Sequence, residues 1–85
     1  MNRDELRQAV LDSLATVAPE MNPAELRPDE PLREQLDLDS FDFLQSLVAL
    51  DRKLSVSIPE SDYGRLTTLE ACVDYLSQRL GEQGR

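Results

Sequence analysis

The residue types that this chain lacks exclude several classes of function. It contains no histidine and a single cysteine, Cys72, among its 85 residues. Without histidine, the usual zinc sites and the Ser-His or Cys-His pairs of nucleophilic enzymes are excluded, and one cysteine forms no internal disulfide. A chain of this length folds into one small domain with little room for an enclosed active site. We therefore expect no metal centre and no catalysis by this chain alone.

Long apolar runs and basic residues are also scarce. No run approaches the ~18 apolar residues of a membrane span, and the amino terminus carries charges where a signal peptide is apolar. Lys and Arg number 9 against 17 Asp and Glu, for a net charge of −8. Such a charge repels nucleic acid and anionic lipid and attracts basic protein surfaces. We expect a cytoplasmic protein whose partners are proteins, with no nucleic acid and no membrane insertion.

The first part of the chain combines a helical pattern with a proline-rich connection. Apolar residues recur at spacings of four, four and three: Leu6, Val10, Leu14 and Val17. This pattern predicts a helix over about residues 2–18. Prolines then interrupt the chain at Pro19, Pro23, Pro28 and Pro31, and each lacks the amide hydrogen that a helix needs. Residues 19–39 should form a long loop that Leu26, Leu32 and Leu36 anchor on the core, with a short helical turn near residues 32–36.

The remaining elements follow from capping and spacing. A second helix is predicted over residues 40–54 with Asp39 as its cap, and a short helix over residues 60–64. The last helix is predicted over residues 68–80: it begins at a capping box, Thr67 to Glu70, and ends before Gly81, with a frayed tail after it. The predicted fold is an all-α, small four-helix bundle with three main helices, one short helix and a long first loop, in a single domain over residues 1–85.

The second helix carries two apolar stripes where one suffices to join a bundle. At about 100° per residue, the two stripes point roughly 120° apart. The first, predicted to face the core, is Phe43, Leu47, Leu50 and Leu54. The second is Phe41, Leu44 and Val48, which we expect to be partly exposed beside Ser40. An exposed apolar patch ringed by acids, including Asp42, indicates a surface for partner docking.

These residues also carry a family resemblance. Asp39-Ser40-Phe41 resembles the Asp-Ser-Leu motif of acyl carrier proteins, and the similarity continues through Ile58-Pro59-Glu60 and Leu66-Thr67-Thr68 over nearly the whole chain. The resemblance implies that Ser40 receives phosphopantetheine from coenzyme A, that Asp39 flanks it as helix cap, and that the arm's thiol holds acyl groups as thioesters. It also implies a monomer served by a phosphopantetheinyl transferase, an acyl-loading enzyme, and enzymes of ketosynthase or acyltransferase type.

Within that resemblance, the outer face of the second helix is weakly charged. We interpret it as Asp42, Gln45, Ser46, Ala49, Asp51, Arg52 and Lys53, with two acids offset by two bases. Carriers of general fatty acid synthesis tend to have strongly acidic second helices. The pattern therefore predicts a carrier for a specialised lipid or polyketide-type pathway, without naming its cargo.

Other interpretations compete with the carrier. The carboxylates of Asp37, Asp39 and Asp42 resemble a calcium loop, but its sixth position is Asp42 instead of glycine and its twelfth is Val48 instead of glutamate. A weak divalent-ion site among these carboxylates stays open.

A small acidic helical adaptor without a prosthetic group is the alternative function. Phe43 is either ordinary core or the lining of a space for the acyl chain.

Overall fold

The fold is made of helices. The computed structural model describes residues 2–83, and within that range the chain forms no strand, only one antiparallel bridge between Pro31 and Thr68. Its elements are α1 (Arg3–Ala15), a 3-10 turn (Pro23–Glu25), α2 (Leu32–Gln35), α3 (Ser40–Leu54), a 3-10 helix (Glu60–Arg65) and α4 (Leu69–Gln83). Three long helices with shorter helical pieces between them confirm the predicted fold class.

The three long helices share one core. α1 packs against both α3 and α4, and fully buried leucines come from all parts of the chain. In the long first connection, Leu26 and Leu32 are buried and Leu36 packs against the same cluster, so the predicted anchors hold the loop on the bundle. None of the helices in residues 2–83 is long and apolar enough to cross a membrane.

α1 begins where predicted and ends earlier. The Asn2 side chain accepts a hydrogen bond from the Glu5 amide at 2.8 Å, and the Glu5 carboxylate accepts one from the Asn2 amide at 3.0 Å, a capping box. The helix ends at Ala15, not at Ala18. The last turn tightens because the Thr16 amide and hydroxyl both donate to the Ser13 carbonyl, and Pro19 then disfavours helical geometry in the residue before it.

Both ends of α4 differ from the prediction. The predicted capping box from Thr67 to Glu70 is wrong, because Thr68 caps the helix. The Thr68 hydroxyl accepts a hydrogen bond from the Ala71 amide at 3.0 Å. The Glu70 amide donates to the Pro28 carbonyl instead of to Thr67. The helix also continues through Gly81 to Gln83. Gly81 does not take the positive φ that ends a helix. Of the predicted tail, Glu82 and Gln83 are therefore helical, and residues 84–85 lie outside the described range.

The chain forms neither helix nor strand over residues 55–59, directly after α3. Val56 and Ile58 alternate with serines there, a spacing that predicts no more than an isolated extended piece. Both side chains are buried, and Ser57 between them is exposed. The Asp51 carboxylate accepts a hydrogen bond from the Ile58 amide at 3.2 Å. This bond ties the extended piece to the last turns of α3.

Candidate functional site

A tight turn between α2 and α3 sets the position of the candidate site. Asp37 adopts φ 52°, in the left-handed region, and the Leu38 amide donates to the Arg33 carbonyl at 2.9 Å. A left-handed residue followed by this bond is part of a Schellman ending, and the Leu38 side chain is buried. Aspartate is among the residues that tolerate this conformation best after glycine. The turn brings Asp39 to the first turn of α3.

Asp39 caps α3, as predicted. Its backbone is extended, and its carboxylate accepts a hydrogen bond from the Asp42 amide at 2.8 Å. Ser40 is thus the first helical residue, its side chain is exposed, and its hydroxyl has no hydrogen-bond partner within residues 2–83. The amides of Ser40 and Phe41 likewise donate to no group in that range. A nucleophilic hydroxyl and two free amide donors therefore lie side by side on the surface.

The two stripes of α3 divide as their spacing predicts. Leu47 and Leu50 of the first stripe are buried, and Phe43 and Leu54 are partly buried against the core. The second stripe is exposed: Phe41 by 64%, Leu44 by 38% and Val48 by 37%. Its three side chains are the large hydrophobic side chains that residues 2–83 leave exposed. An apolar strip next to Ser40 is therefore open to solvent.

The predicted outer face of α3 is wrong at Ser46. Ser46 is only 2% exposed, and its hydroxyl donates to the Phe43 carbonyl of its own helix at 2.6 Å. Asp51 is partly buried and is engaged by the Ile58 amide. Lys53 reaches across to Asp12 of α1 at 3.5 Å. The charge that α3 presents to solvent is therefore smaller still than its sequence indicates.

One cavity between the four α-helices is very small. It has a volume of about 10 Å³ and is lined by Val10, Ser13, Leu14, Leu32, Phe43, Ser46, Leu47, Leu50 and Cys72. Such a volume holds about one water molecule. Both serine hydroxyls are satisfied by carbonyls of their own helices, Ser13 by that of Ala9. Phe43 is partly buried against the core and also lines this cavity, so both interpretations of Phe43 stay open.

Cys72 is a buried structural side chain. Its thiol contacts the Leu66 carbonyl at 3.5 Å, and burial raises the pKa of the Cys72 thiol to about 12. A thiol with so high a pKa stays protonated and unreactive at neutral pH. Cys72 lies on the apolar stripe of the last helix, a position that predicts a buried structural role, and its side chain is only 1% exposed.

Two side chains have structural roles that the sequence did not predict. The sequence indicates Tyr75 as packing at the rim, which is wrong because its side chain is only 3% exposed, and it indicates no role for Gln35. Tyr75 is buried in α4 and donates its hydroxyl to Asp62, which fastens the Glu60–Arg65 helix to α4. Burial, together with the bond to Asp62, raises the pKa of Tyr75. Gln35 holds the first connection through three hydrogen bonds to the backbone of Arg27 and Glu30. Neither role leaves a periodic signal, because each depends on a partner at least five residues away.

The acidic residues around Ser40 do not assemble into a metal centre. Across residues 2–83, no group of three or more His, Cys, Asp or Glu side chains is arranged to hold a metal ion. The Asp39 carboxylate, which a calcium loop would use as a ligand, instead accepts a bond from the helix backbone.

Comparison with known proteins identifies the family to which the chain belongs. Residues 5–76 match the family described as the phosphopantetheine attachment site. The chain belongs to this family. It is similar to an acyl carrier protein of Rubrobacter xylanophilus, 29% identical over 76 residues, which cover 89% of this chain and 93% of the relative. It is also similar to the polyketide-8 synthase acyl carrier protein 2 of Streptomyces avermitilis, 28% identical over 82 residues, which cover 96% of this chain and 88% of that protein.

The family makes this chain a phosphopantetheine-bearing acyl carrier, not a catalyst. Such carriers interact with biosynthetic enzymes, and the bound group supplies a thiol that holds the acyl chain as a thioester. The adaptor without a prosthetic group is therefore the weaker interpretation. The residues at the start of α3 fit the group: the Ser40 hydroxyl is exposed, and the neighbouring free amides, at the positive end of the helix dipole, favour a phosphodiester there.

Proposed function

We propose that Ser40 is the point at which phosphopantetheine is attached. The observation that carries this proposal is the arrangement at the start of α3. Asp39 supplies the helix cap, so Ser40 is left exposed in the first turn. The serine oxygen forms the new bond to phosphorus, its proton leaves, and the adenosine bisphosphate part of coenzyme A departs. A phosphopantetheinyl transferase supplies the base for this step.

The proposal extends to a docking surface, formed by Phe41, Asp42, Leu44 and Val48. Its support is the exposure of the three apolar side chains beside Ser40, because contiguous exposed apolar patches often mark binding sites on monomers. Enzymes of the acyl-loading, ketosynthase and acyltransferase types would bind here in turn. Asp42 adds a negative charge that attracts a basic partner, and the apolar contacts supply a larger share of the recognition than this charge does.

The pathway that fits best is a specialised lipid or polyketide-type pathway. α3 presents Asp42 to partners, while Asp51 is occupied by a backbone amide and Arg52 is exposed. Enzymes that dock through arginine and lysine lose orientation and association rate when acidic groups are missing. The two relatives, one of them named for polyketide synthesis, are equally similar to this chain, so the weak charge of α3 is the argument for the specialised pathway.

We also propose that residues 1–85 form a single carrier domain. This domain acts as a monomer in the cytoplasm. The alignment covers most of this chain and most of both relatives, which supports one domain. The net charge of −8 disfavours self-association. The cytoplasmic location rests on the need for coenzyme A.

Intact mass after incubation with coenzyme A and a phosphopantetheinyl transferase tests the attachment site. The wild-type protein should gain the mass of one phosphopantetheine, and Ser40→Ala should gain none while it keeps its helical circular dichroism. Ser61→Ala is the matched control, because Ser61 is also an exposed serine in the first turn of a helix, and it should load like wild type. Loading of Ser40→Ala would refute the proposal.

A binding measurement with the loaded carrier tests the docking surface. Phe41→Ala should weaken binding to a ketosynthase-type partner by about 1–3 kcal/mol, with little change in the free energy of unfolding, because its side chain is 64% exposed. Gln45→Ala, an exposed change on the same helix, should leave binding within about 0.5 kcal/mol of wild type. Equal losses in binding and in stability for Phe41→Ala would mean that the side chain supports the fold instead.

A further inference from the structure

The segment around Ser40 contains one basic side chain among several acidic ones. Arg33 is the only Lys or Arg over residues 28–51. The acidic side chains nearest to Ser40 in the sequence are Asp37, Asp39 and Asp42. Attachment of phosphopantetheine adds one more negative charge here, as a phosphodiester. The position of Arg33 therefore decides whether this charge finds a cation of the same chain.

Two backbone contacts hold Arg33 at the turn before α3. Its carbonyl accepts a hydrogen bond from the Leu38 amide at 2.9 Å, and its side-chain Nε donates to the Leu38 carbonyl at 3.5 Å. Leu38 and Ser40 are two positions apart, so their Cα atoms lie within about 8 Å of each other. Arg33 is exposed and takes part in no salt bridge within residues 2–83. Its guanidinium is therefore available to an anion on Ser40.

An open groove beside the start of α3 offers the phosphodiester no such partner. The groove has a volume of about 470 Å³ and is bounded by the segment after α1 and by the turn before α3. Its lining includes the carboxylates of Glu20, Asp37 and Asp42, and no basic side chain of the described residues lines it. Like charges repel one another over distances of about 10 Å at 0.1 M salt. The carboxylates of the groove therefore repel the phosphodiester, whereas Arg33, which does not line the groove, attracts it.

We propose that Arg33 binds the phosphodiester on Ser40 and so holds the base of the phosphopantetheine arm away from the acidic groove. This inference rests on the proposed attachment at Ser40. Arginine suits this role because its planar guanidinium donates two parallel hydrogen bonds to phosphate oxygens. Since exposed ion pairs contribute little to stability, the contact directs the arm more than it stabilises the fold. The far end of the arm stays free to reach partner enzymes.

Nuclear magnetic resonance of the arginine side chains tests the inference. The carrier is compared before and after treatment with coenzyme A and a phosphopantetheinyl transferase, and intact mass first establishes loading. Loading should shift the Nε–Hε signal of Arg33, because a new acceptor then lies beside its guanidinium. The shift should decrease as sodium chloride rises from about 0.02 to 0.5 M, because salt screens the attraction between exposed charges.

Arg52 is the matched control for this measurement. It is also exposed and takes part in no salt bridge in the part of the chain that the structure describes. Twelve positions along α3 place it about 18 Å from Ser40 along the helix axis. Its Nε–Hε signal should therefore stay in place on loading.

The phosphorus resonance of the loaded carrier gives a second measurement. Arg33→Gln should shift the phosphodiester signal, Arg33→Lys should shift it less because the positive charge remains, and Arg52→Gln should leave it unchanged. The comparison of wild-type signals needs no variant, so it stands even where Arg33→Gln fails to fold.

Three results would overturn the inference while the mass gain leaves the attachment site intact. They are an Arg33 signal that does not change on loading, equal shifts at Arg33 and Arg52, and an unchanged phosphodiester signal in folded Arg33→Gln. A mass gain that persists in Ser40→Ala would overturn the attachment site and this inference together.

Discussion

Two residues other than glycine hold the left-handed conformation at helix ends. Ser55 closes α3 with φ 52° and ψ 41°, and the Val56 amide then donates to the Asp51 carbonyl at 3.1 Å. Asp37 does the same after α2. A side chain in this region costs roughly 1–2 kcal/mol relative to glycine. The chain thus stores backbone strain at both ends of the segment that includes Ser40.

Ser55→Gly should stabilise the protein. Removal of the Cβ relieves the strain at φ 52°, and part of that gain is offset by the greater freedom of glycine in the unfolded chain, for a net rise of about 0.5–1 kcal/mol in the free energy of unfolding. Denaturant titration measures it. Ser57→Gly, in the extended connection where φ is not positive, is the control and should lower stability. A loss of stability in Ser55→Gly would contradict the assignment of strain.

Cys72 predicts a dependence of stability on alkaline pH. Its thiol has a pKa of about 12 in the folded protein against an ordinary value of about 9. Between these values the unfolded chain loses the proton that the folded protein keeps. Stability from this group is therefore complete below about pH 9 and falls as pH rises toward 12, by at most about 1.4 kcal/mol per pH unit.

Denaturant titrations between pH 8 and 10 measure that slope. In this range tyrosine ionisation contributes less to the pH dependence of stability than it does at higher pH. Cys72→Ala should be less stable overall, because truncation leaves a cavity, but its stability should vary less with pH than that of wild type. The same slope in both proteins would show that another group titrates.

At the scale of elements, the one-turn helix α2 depends on a side chain more than on its own length. A helix of four residues has little stability by itself. Gln35 accepts from the Arg27 amide at 2.7 Å and donates to the carbonyls of Arg27 and Glu30 at 2.8 and 2.9 Å. The Leu32 amide in turn donates to the Thr67 carbonyl at 2.8 Å. These bonds hold α2 and the loop before it in place, and α2 sets the turn that leads to Ser40.

Gln35→Ala should therefore lower the free energy of unfolding by about 1–3 kcal/mol, since three hydrogen bonds to backbone groups are lost. Gln35→Glu should recover little, because a carboxylate accepts from the Arg27 amide but cannot donate to the two carbonyls. Glu34→Ala, an exposed change in the same turn, should alter stability by less than about 0.5 kcal/mol. Equal effects of Gln35→Ala and Glu34→Ala in urea titrations would mean that the hydrogen bonds do not support the loop.

At the scale of the whole molecule, acidic side chains outnumber basic ones, and most carboxylates have no salt-bridge partner within residues 2–83. The chain has 17 acidic and 9 basic side chains, and the salt bridges within residues 2–83 are Arg3–Asp74, Arg27–Glu30 and Lys53–Asp12. All three are at least partly exposed and contribute little each. Repulsion among the remaining carboxylates should act against the compact state.

Added salt should accordingly raise the melting temperature. Screening weakens repulsion between exposed carboxylates over distances of about 10 Å at 0.1 M salt, so the effect should be visible between about 0.01 and 0.2 M sodium chloride in a thermal scan. Magnesium chloride at equal ionic strength tests whether a divalent ion adds binding to screening. An unchanged melting temperature across the sodium chloride series would show that charge repulsion is not a significant term.

The sequence by itself determined what depends on neighbours within a turn or two. The bounds of α3, its cap at Asp39 and its two apolar stripes all follow from side-chain spacing and local hydrogen bonds, which a sequence displays directly. The same holds for Ser40 at the first position of the helix. The residue types that are absent, histidine above all, excluded whole classes of chemistry before any fold was known.

Only the tertiary structure decided which polar side chains go inside and how much space remains there. Ser46 looks like a surface residue in the sequence, yet it is buried and bonded to its own helix. Gln35 and Tyr75 find their partners on distant parts of the chain. The size of the cavity between the helices is likewise set by how α1, α3 and α4 place their side chains opposite one another. Burial and cavity volume depend on contacts between helices, and the order of residues within any one helix does not specify them.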